Sequence, residues 1–285
     1  MAGKESLLAQ LSALGIHPRK GLGQNFLVDP VHRGRIVAAA QLGPEDAVLE
    51  IGPGPGVLTE LLLRQAGRVV AVELDDRLIP FLCARFAAYP NLSIVHGDIL
   101  KLDVTGLMSD PAIAGQPAAP PSYKVVANLP YYITGAVIPH VLEAGQPPVL
   151  TVVTVQREVA ERMIARPPDM SLLALGVQFY CNAQIVDRIP AGAFYPAPKV
   201  DSAVVRMRRR AEPAVSGVTG EQFFRVARAG FGQRRKQLRN SLAAGLGVPP
   251  PQAEAWLRAA GVDPQRRAET LTIDEWGALA KAVQA

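Results

Sequence analysis

The tetrapeptide Asn128-Leu-Pro-Tyr131 has the side chains best suited to chemistry in this chain. The Asn128 side-chain oxygen and the Leu129 carbonyl can both accept hydrogen bonds from one amine. Pro130 fixes its own φ and restricts Leu129 to extended geometry, which aims that carbonyl. Tyr131 offers a ring on which a nucleic-acid base can stack. Taken alone, the tetrapeptide is also compatible with a strand that ends in a proline turn. Its functional interpretation is a site that methylates a weakly nucleophilic amine, such as that of adenine, by orientation and dipoles rather than by a strong base.

A glycine-rich segment, Glu50-Ile-Gly52-Pro-Gly54-Pro-Gly56, follows an apolar run and precedes a helical pattern. Glycines let the backbone turn sharply and approach a ligand closely. Position 57 is Val, so the GxGxxG spacing of a dinucleotide site fails. The spacing present, acid-x-Gly-x-Gly-x-Gly, is typical of class I methyltransferases that use S-adenosylmethionine. Taken alone, the segment is also compatible with a tight turn that binds nothing.

Two acids end the next two apolar runs. Glu73 lies about 20 residues after the glycines, where a carboxylate can accept both ribose hydroxyls. Asp98 ends the following run and can accept from the adenine amine of the cofactor. Either acid alone could simply be a helix N-cap. Ligands bind beyond the carboxyl ends of parallel strands, so we expect one S-adenosylmethionine site that includes Gly52, Gly54, Glu73 and Asp98, with Asn128 beside it.

The elements that position these residues alternate along the chain. Apolar runs without polar alternation are typical of strands buried on both faces of a parallel sheet. Helical patterns at 57–65 and 76–88 separate them, and 110–121 reads as a surface loop. The sequence therefore predicts a doubly wound, Rossmann-like α/β fold with a seven-stranded, mostly parallel sheet. The predicted strands are 47–52, 68–74, 92–98, 124–129, 150–156, 183–190 and 202–209.

The tail of the chain has a different pattern. Helices are predicted at 221–230, 234–244, 253–260 and 273–283, separated by glycines and prolines. A further short helix is predicted at 6–14. We expect a methyltransferase domain at 1–210, with an N-terminal lid segment, and a small all-helical domain at 211–285.

Composition narrows the class of protein. Hydrophobic residues make up 49% of the 285 residues, yet no apolar run approaches the ~20 residues of a membrane helix. The first residues resemble neither a signal nor a transit peptide, so a cytoplasmic protein is expected. The two cysteines are far apart and no Cys/His ligand spacing occurs, so neither a disulfide framework nor a metal site is expected. A monomer is the expected state.

Basic charge is concentrated in one stretch. Residues 206–239 contain ten Lys/Arg and two acids, a local net of +8, which leaves −3 for the rest because the total is +5. A single basic run is usually a solvated face, but two runs around one linker favour contact with RNA phosphates. The predicted contacts are Arg206, Arg208, Arg234, Arg235, Lys236 and Arg239.

The chain resembles the small-subunit (16S) ribosomal RNA adenine dimethyltransferase family from about residue 18 to the end. The resemblance rests on six blocks: Gly23-Gln-Asn-Phe-Leu27, Glu50-Ile-Gly-Pro-Gly54, Val72-Glu-Leu-Asp75, Asn128-Leu-Pro-Tyr131, Phe194-Tyr-Pro-Ala-Pro-Lys-Val-Asp-Ser-Ala-Val205 and Gln233-Arg-Arg-Lys-Gln-Leu-Arg-Asn-Ser-Leu242. It implies dimethylation, from S-adenosylmethionine, of the N6 amines of two adjacent adenines in a hairpin loop near the 3′ end of 16S rRNA. The implied partner is 16S rRNA within the small ribosomal subunit or its precursor, with a role in subunit biogenesis.

The resemblance also implies roles for individual residues. Asn25 and Leu27 would belong to a lid over the methionine side of the cofactor, and Asn128 would touch the cofactor as well. Phe194 would sandwich a flipped adenine opposite Tyr131. Tyr195 stands where the family has threonine, so the identity of the second stacking ring stays open between Phe194 and Tyr195.

Three alternatives remain. A large-subunit rRNA adenine methyltransferase of the antibiotic-resistance type shares the chemistry, but the Gly23–Leu27 block and the Gln233–Leu242 block favour the small-subunit branch. A non-catalytic ribosome-assembly factor on the same fold would not require the intact tetrapeptide. A DNA adenine methyltransferase would have proline where Leu129 stands.

Overall fold

A computed structural model describes residues 9, 11–13, 15–114, 122–233 and 235–284. Most of the predicted helix at 6–14, residues 115–121 of the predicted loop, and Arg234 lie outside the described residues.

The central sheet has seven strands in the order β4-β3-β2-β5-β6-β9-β7. The pairs from β4 to β6 are parallel, and β9 runs antiparallel to β6. Every residue of β2 is buried, as expected of a strand covered on both faces. The predicted seven-stranded, mostly parallel α/β fold is confirmed. The strands are β2 (Ala47–Ile51), β3 (Arg68–Glu73), β4 (Leu92–His96), β5 (Tyr123–Asn128), β6 (Leu150–Gln156), β7 (Cys181–Ile189) and β9 (Ser202–Arg209).

Two very short strands form a separate antiparallel pair. These are β1 (Phe26–Leu27) and β8 (Phe194–Tyr195), with Leu27 opposite Phe194 and Phe26 opposite Tyr195. The pair joins two blocks that are far apart in sequence, and neither strand was predicted.

Helices connect the strands and begin where the sequence provides caps. The Asp29 side chain accepts from the Val31 and His32 amides, and Pro30 occupies the first turn of α1. Likewise, Asp110 accepts from the Ala112 amide beside Pro111, so the predicted loop at 110–121 begins with one helical turn instead. The helices are α1 (Pro30–Ala40), α2 (Thr59–Leu63), α3 (Leu78–Arg85), α4 (Val104–Ser109), α5 (Pro111–Ala114), α6 (Thr134–Leu142), α7 (Arg157–Met163) and α8 (Leu172–Tyr180).

The chain divides into two compact units. The first contains Met1–Ala160 and Gln184–Arg208, and the second contains Glu161–Ala183 and Arg209–Ala285. Residues 161–183 were assigned to the first domain from sequence. In the structure, Phe179 of α8 stacks on Phe223 with ring centroids 4.6 Å apart, which explains their place in the second unit. Whether the chain folds as domains 1–210 and 211–285 stays a prediction.

The second unit confirms the predicted helical C-terminal region. Capping boxes start two of its helices, at Thr219 with Gln222 and at Thr272 with Glu275. In the described parts of the chain, no helix combines the length and apolar character needed to cross a bilayer. The helices of the tail are α9 (Gly220–Phe231), α10 (Leu238–Leu246), α11 (Pro250–Ala259) and α12 (Ile273–Ala282).

Candidate active site

A cavity of about 220 Å³ lies at the carboxyl ends of the parallel strands of the first unit. It collects residues from five separate stretches of the chain: the 22–27 segment, the glycine turn after β2, and the ends of β3, β4 and β5. The predicted site residues Asn25, Leu27, Gly52, Gly54, Glu73, Asp98, Asn128, Leu129, Pro130 and Tyr131 all line it. Among its lining residues there are three acids and no Lys, Arg or His.

The glycine turn holds the backbone close to the cavity. Gly52 and Gly54 have φ values of 68° and 58°, a region that residues with a Cβ rarely adopt. A Cβ on Gly54 would lie 3.1 Å from the Phe26 ring. The Gly54 amide donates to the Glu73 carboxylate at 3.0 Å, and this hydrogen bond joins the glycine turn to the end of β3.

Two of the cavity acids are buried and resist ionisation. Burial raises the pKa of Glu73, although backbone amides of Asp75 and Gly54 oppose the shift. Burial also raises the pKa of Glu50 to about 8, and the nearby Glu73 charge adds to this rise. A 2.6 Å hydrogen bond from the Thr59 hydroxyl lowers the pKa but does not outweigh burial. Each Glu73 oxygen accepts one backbone amide. A carboxylate oxygen has room for a second donor, so both can still bind hydroxyls.

The third acid, Asp98, is more open. It caps a short 3₁₀ turn by accepting from the Leu100 amide at 3.1 Å, and its side chain is 31% exposed. Asp98 therefore acts as a helix N-cap, the structural role that was the alternative to cofactor binding. It uses one oxygen only, because just Oδ1 accepts from Leu100, and Oδ2 lies 3.8 Å from the Lys101 ammonium.

The Asn128 side chain has a fixed orientation. Its Nδ2 donates to the backbone carbonyl of Asn25 at 3.0 Å. A carbonyl only accepts, so the amide nitrogen faces Asn25 and the oxygen Oδ1 faces the other way. No described residue donates to Oδ1. Asn128 lines the cavity, and Oδ1 is the acceptor that its side chain has available there.

The other residues of the tetrapeptide are also held. The Leu129 amide donates to the Thr154 carbonyl at 3.2 Å, whereas its own carbonyl accepts from no described residue. Pro130 has φ −57° and ψ 130°. The Tyr131 hydroxyl lies 2.6 Å from the hydroxyl of buried Ser202, which fixes the ring. Burial raises the pKa of Tyr131 despite that bond, so the ring stays neutral.

Gln24 and Asp75, neither of which was predicted to have a role, hold the 19–27 segment in place. Gln24 Nε2 donates to Asp75 at 2.9 Å, and its oxygen accepts from the Arg19 amide at 2.7 Å. The Arg77 guanidinium donates twice to Asp75, at 2.9 and 2.6 Å, and the Arg77 amide donates at 3.3 Å. Burial alone would raise the pKa of Asp75, but the bonds from Arg77 and Gln24 outweigh it and lower that pKa to about 2. Gln24 and Asp75 belong to two of the sequence blocks that carry the family resemblance. They are 51 positions apart, and the spacing of residues within a block does not reveal a contact between blocks.

Phe194 is not placed where the resemblance implies. Its ring is 3% exposed, packs with the core that contains Leu27, and does not line the cavity. Tyr195 is 43% exposed and lies opposite Phe26. Tyr132, which no sequence argument selected, lines the cavity and is 58% exposed.

The predicted RNA contacts have different environments. Arg208 donates to Gln41 at 2.5 Å, and Arg206 lies beside the Gln184 amide. Arg235 and Lys236 are exposed. Arg239 is partly buried and forms an ion pair with Glu254 at 3.5 Å.

The donor set fits S-adenosylmethionine. This molecule carries a sulfonium and an ammonium, and a cavity lined by three acids and no cation suits such a charge, although the Lys101 ammonium lies 3.8 Å from Asp98. Its ribose diol requires paired acceptors, and Glu73 offers them at the end of β3. No group of three or more His, Cys, Asp or Glu side chains that could hold a metal occurs in the described residues.

Comparison with known proteins gives a consistent set of matches. The model of the family described as ribosomal RNA adenine dimethylase matches residues 16–285. A ribosomal RNA small subunit methyltransferase A of Dehalococcoides mccartyi is 50% identical over 281 residues, 97% of this chain and 94% of that protein. The protein of the same name from Pelotomaculum thermopropionicum is 45% identical, over 93% and 91% of the two chains.

Two solved structures resemble the whole chain. A dimethyladenosine transferase from Plasmodium falciparum has a TM-score of 0.70 and 26% identity, covering 89% of this chain and 95% of that one. The 23S rRNA methyltransferase ErmE has a TM-score of 0.69 and 29% identity, covering 92% and 100%.

Proposed function

The chain belongs to the ribosomal RNA adenine dimethylase family, and from this premise we propose that it dimethylates the N6 amines of two adjacent adenines in a hairpin loop near the 3′ end of 16S rRNA. The methyl donor is S-adenosylmethionine, and the substrate is 16S rRNA within the small ribosomal subunit or its precursor. One observation carries the proposal: Asn128 Nδ2 is held by the Asn25 carbonyl, so Oδ1 is the acceptor presented in the acid-lined cavity.

The chemistry follows from what the chain must supply. S-adenosylmethionine supplies a methyl carbon that is already electrophilic because it is bonded to a positively charged sulfur. The chain needs only to activate and orient the amine. Asn128 Oδ1 and the Leu129 carbonyl accept hydrogen bonds from the two N–H groups of the amine, which favours a nitrogen lone pair directed out of the ring plane. Preorganised acceptors of this kind lower the barrier without a general base.

The cofactor contacts are assigned from the same cavity. Glu73 accepts the ribose hydroxyls, Asp98 accepts from the cofactor's adenine, and Gly52 and Gly54 let the backbone approach it. Asn25 and Leu27 cover the methionine side, and Asn128 lies between cofactor and base. The support is that all of these residues line one cavity.

The target base must leave its stack to reach this cavity. Tyr131 is its platform, because Ser202 holds the ring in one orientation. Phe194 would cover the second face only after the β1–β8 segment moves, because its ring is buried in this structure. That role of Phe194 stays a prediction. The rings of Tyr132 and Tyr195 are exposed in this structure, whereas that of Phe194 is buried.

The small-subunit substrate is favoured over the alternatives by sequence rather than by fold. ErmE and the Plasmodium enzyme have almost equal TM-scores, so the fold does not separate 23S from other adenine substrates. The 50% identical relative is named for the small subunit. Phosphate contacts would come from four described residues: Arg206, Arg208, Arg235 and Lys236. Arg234 and Arg239 are proposed from sequence alone, and Arg239 is ion-paired with Glu254. A ribosomal RNA substrate also supports the cytoplasm as the place of action, while the monomeric state stays a prediction.

The test is methyl transfer from labelled S-adenosylmethionine to small subunits that lack the modification, followed by mapping of the modified bases. We expect label on the N6 atoms of two adjacent adenines of 16S rRNA. Label in 23S rRNA, with none in 16S rRNA, would establish the large-subunit alternative instead. Tight subunit binding without any label would favour a non-catalytic assembly factor.

A further inference from the structure

A groove in the second unit lies between helices α9 and α10. Two arginines, Arg225 and Arg228, form its basic wall, and Ser241 and Ala244 belong to the opposite helix. Its other lining residues are Ala229, Gly232, Gln233 and Gly245. Neither arginine was among the predicted RNA contacts.

The groove has a floor of very small residues. A Cβ on Gly245 would lie 2.6 Å from both the Cα and the Cβ of Ala229, so the two helix backbones are in close contact there. With so little side chain on the floor, a bulky ligand group can approach the helices. The two arginines are exposed and three positions apart on α9, which puts their Cβ atoms about 5–6 Å apart on one face.

The charge of this groove is uncompensated within the described residues. No acid lines it, and neither arginine takes part in an ion pair there. A second groove in the same unit provides the contrast. Arg239 and Arg258 line that one together with Glu254 and Asp263, and Glu254 lies 3.5 Å and 2.7 Å from the two guanidinium groups. The second groove is internally neutralised and the first is not.

We propose that the α9–α10 groove binds the sugar-phosphate backbone of the RNA substrate through Arg225 and Arg228. This rests on the proposed function, because it assigns the RNA-contacting surface of the same enzyme. Guanidinium groups bind phosphate oxygens in a bidentate manner, and two of them one helical turn apart suit neighbouring phosphates of one strand. The local net of +8 over residues 206–239 favours a polyanion over a single small anion. The groove supplies affinity and register and reads no bases.

The test compares two double variants that each remove two cations from the second unit. R225Q/R228Q empties the groove of charge, and R258Q/K281Q removes two cations that lie outside it. Affinity for undermethylated small subunits is measured between about 50 and 200 mM salt. Loss of two phosphate contacts should flatten the slope of log K against log salt by about 1.5 and raise the Kd roughly tenfold at low salt. The control pair should change the Kd less than twofold.

Further measurements keep the result interpretable. Circular dichroism and the affinity for S-adenosylmethionine should match the wild type in both variants. R225K/R228K keeps the charge but not the bidentate geometry, so it should restore the salt slope and only part of the affinity. Equal losses in the two Gln variants would mean that only net charge matters, and the groove assignment would be wrong. Weaker binding to subunits with unchanged binding to protein-free 16S rRNA would mean that the groove contacts a ribosomal protein instead. Failure of the proposed function itself would appear separately, as absence of methylation by the wild type.

Discussion

Asn128 owes its orientation to a backbone atom rather than to another side chain. The Asn25 carbonyl accepts from its nitrogen at 3.0 Å, so the amide cannot reverse without losing that bond. An acceptor fixed in this way costs no reorganisation when the amine arrives, which is the condition for preorganised electrostatic catalysis.

Replacing Asn128 with alanine removes one of the two proposed acceptors. We expect turnover to fall by roughly 10²-fold or more, as for other positioned hydrogen-bonding groups. Cofactor affinity should be partly retained, because Glu73 and Asp98 remain. Single-turnover methylation and equilibrium binding measure the two effects. The matched control is Asn182→Ala, an exposed amide on β7, and a near-normal rate for Asn128→Ala would remove the proposed role.

Glu50 should exchange a proton when the cofactor binds. With a pKa of about 8, it is mostly neutral at pH 7 in the free protein. A cationic ligand in the same cavity favours the carboxylate and lowers that pKa. Binding should therefore release up to about one proton near pH 7 and little above pH 9, and affinity should rise with pH up to about 8. Calorimetry in buffers of different ionisation enthalpy measures the release.

Two comparisons decide whether Glu50 is the source of that proton. Glu50→Gln should bind the cofactor without the release. S-adenosylhomocysteine, which lacks the sulfonium charge, should release less than S-adenosylmethionine in the wild type. Equal release by wild type and Glu50→Gln would assign the proton to another group, such as Glu73.

At the scale of elements, the 19–27 segment connects the end of β3 to Asn128, the residue proposed to orient the amine. Asp75, at the end of β3, holds Gln24, and the next residue, Asn25, provides the carbonyl that holds Asn128. Arg77 and Arg19 complete the charge balance of a carboxylate that is fully buried. Order in this segment and orientation of the amide are therefore linked.

Asp75→Asn tests that link. Removing one member of a buried ion pair should lower the free energy of unfolding by roughly 3 kcal/mol. Because the pKa of Asp75 is about 2 in the folded protein, its contribution is present above about pH 4 and is lost as the pH falls toward 2. The variant should show a flatter acid limb in thermal melts and a lower turnover. Asp76→Asn, at a neighbouring carboxylate that is 69% exposed, is the control. Identical acid limbs for wild type and Asp75→Asn would contradict the assignment.

The predicted elements and the observed ones agree where a sequence pattern has a physical cause. All seven strands were predicted with both ends within two residues of the observed ones. The five parallel strands lack polar alternation in sequence, as buried parallel strands do. Their carboxyl ends share an edge, so Gly52, Glu73, Asp98 and Asn128 were placed together correctly. The β1–β8 pair has two residues per strand and therefore no period to detect. The Gln24–Asp75 bond and the burial of Phe194 depend on tertiary packing, which spacing does not encode.

Over the whole molecule, the two proposed binding functions have opposite electrostatics. The cavity proposed to bind the cofactor is lined by three acids, two of them buried. The basic residues proposed to contact RNA are mostly exposed. Salt screens exposed charges strongly and buried ones much less, so the two functions should respond differently to ionic strength.

Raising salt from about 50 to 200 mM should weaken binding of undermethylated small subunits by a factor of ten or more, because each phosphate contact contributes about −0.7 to −0.9 to the slope of log K. The same change should alter the Kd for S-adenosylmethionine by less than about twofold, since Glu50 and Glu73 of the proposed cofactor site are buried. Both constants are measured with one preparation, by filter binding and by calorimetry, with S-adenosylhomocysteine as the less charged comparison ligand. Parallel losses of both affinities would point to unfolding or to a screened cofactor site. If the Kd for small subunits does not change with salt concentration, the protein does not bind RNA through an electrostatic surface, whichever arginines were assigned to it.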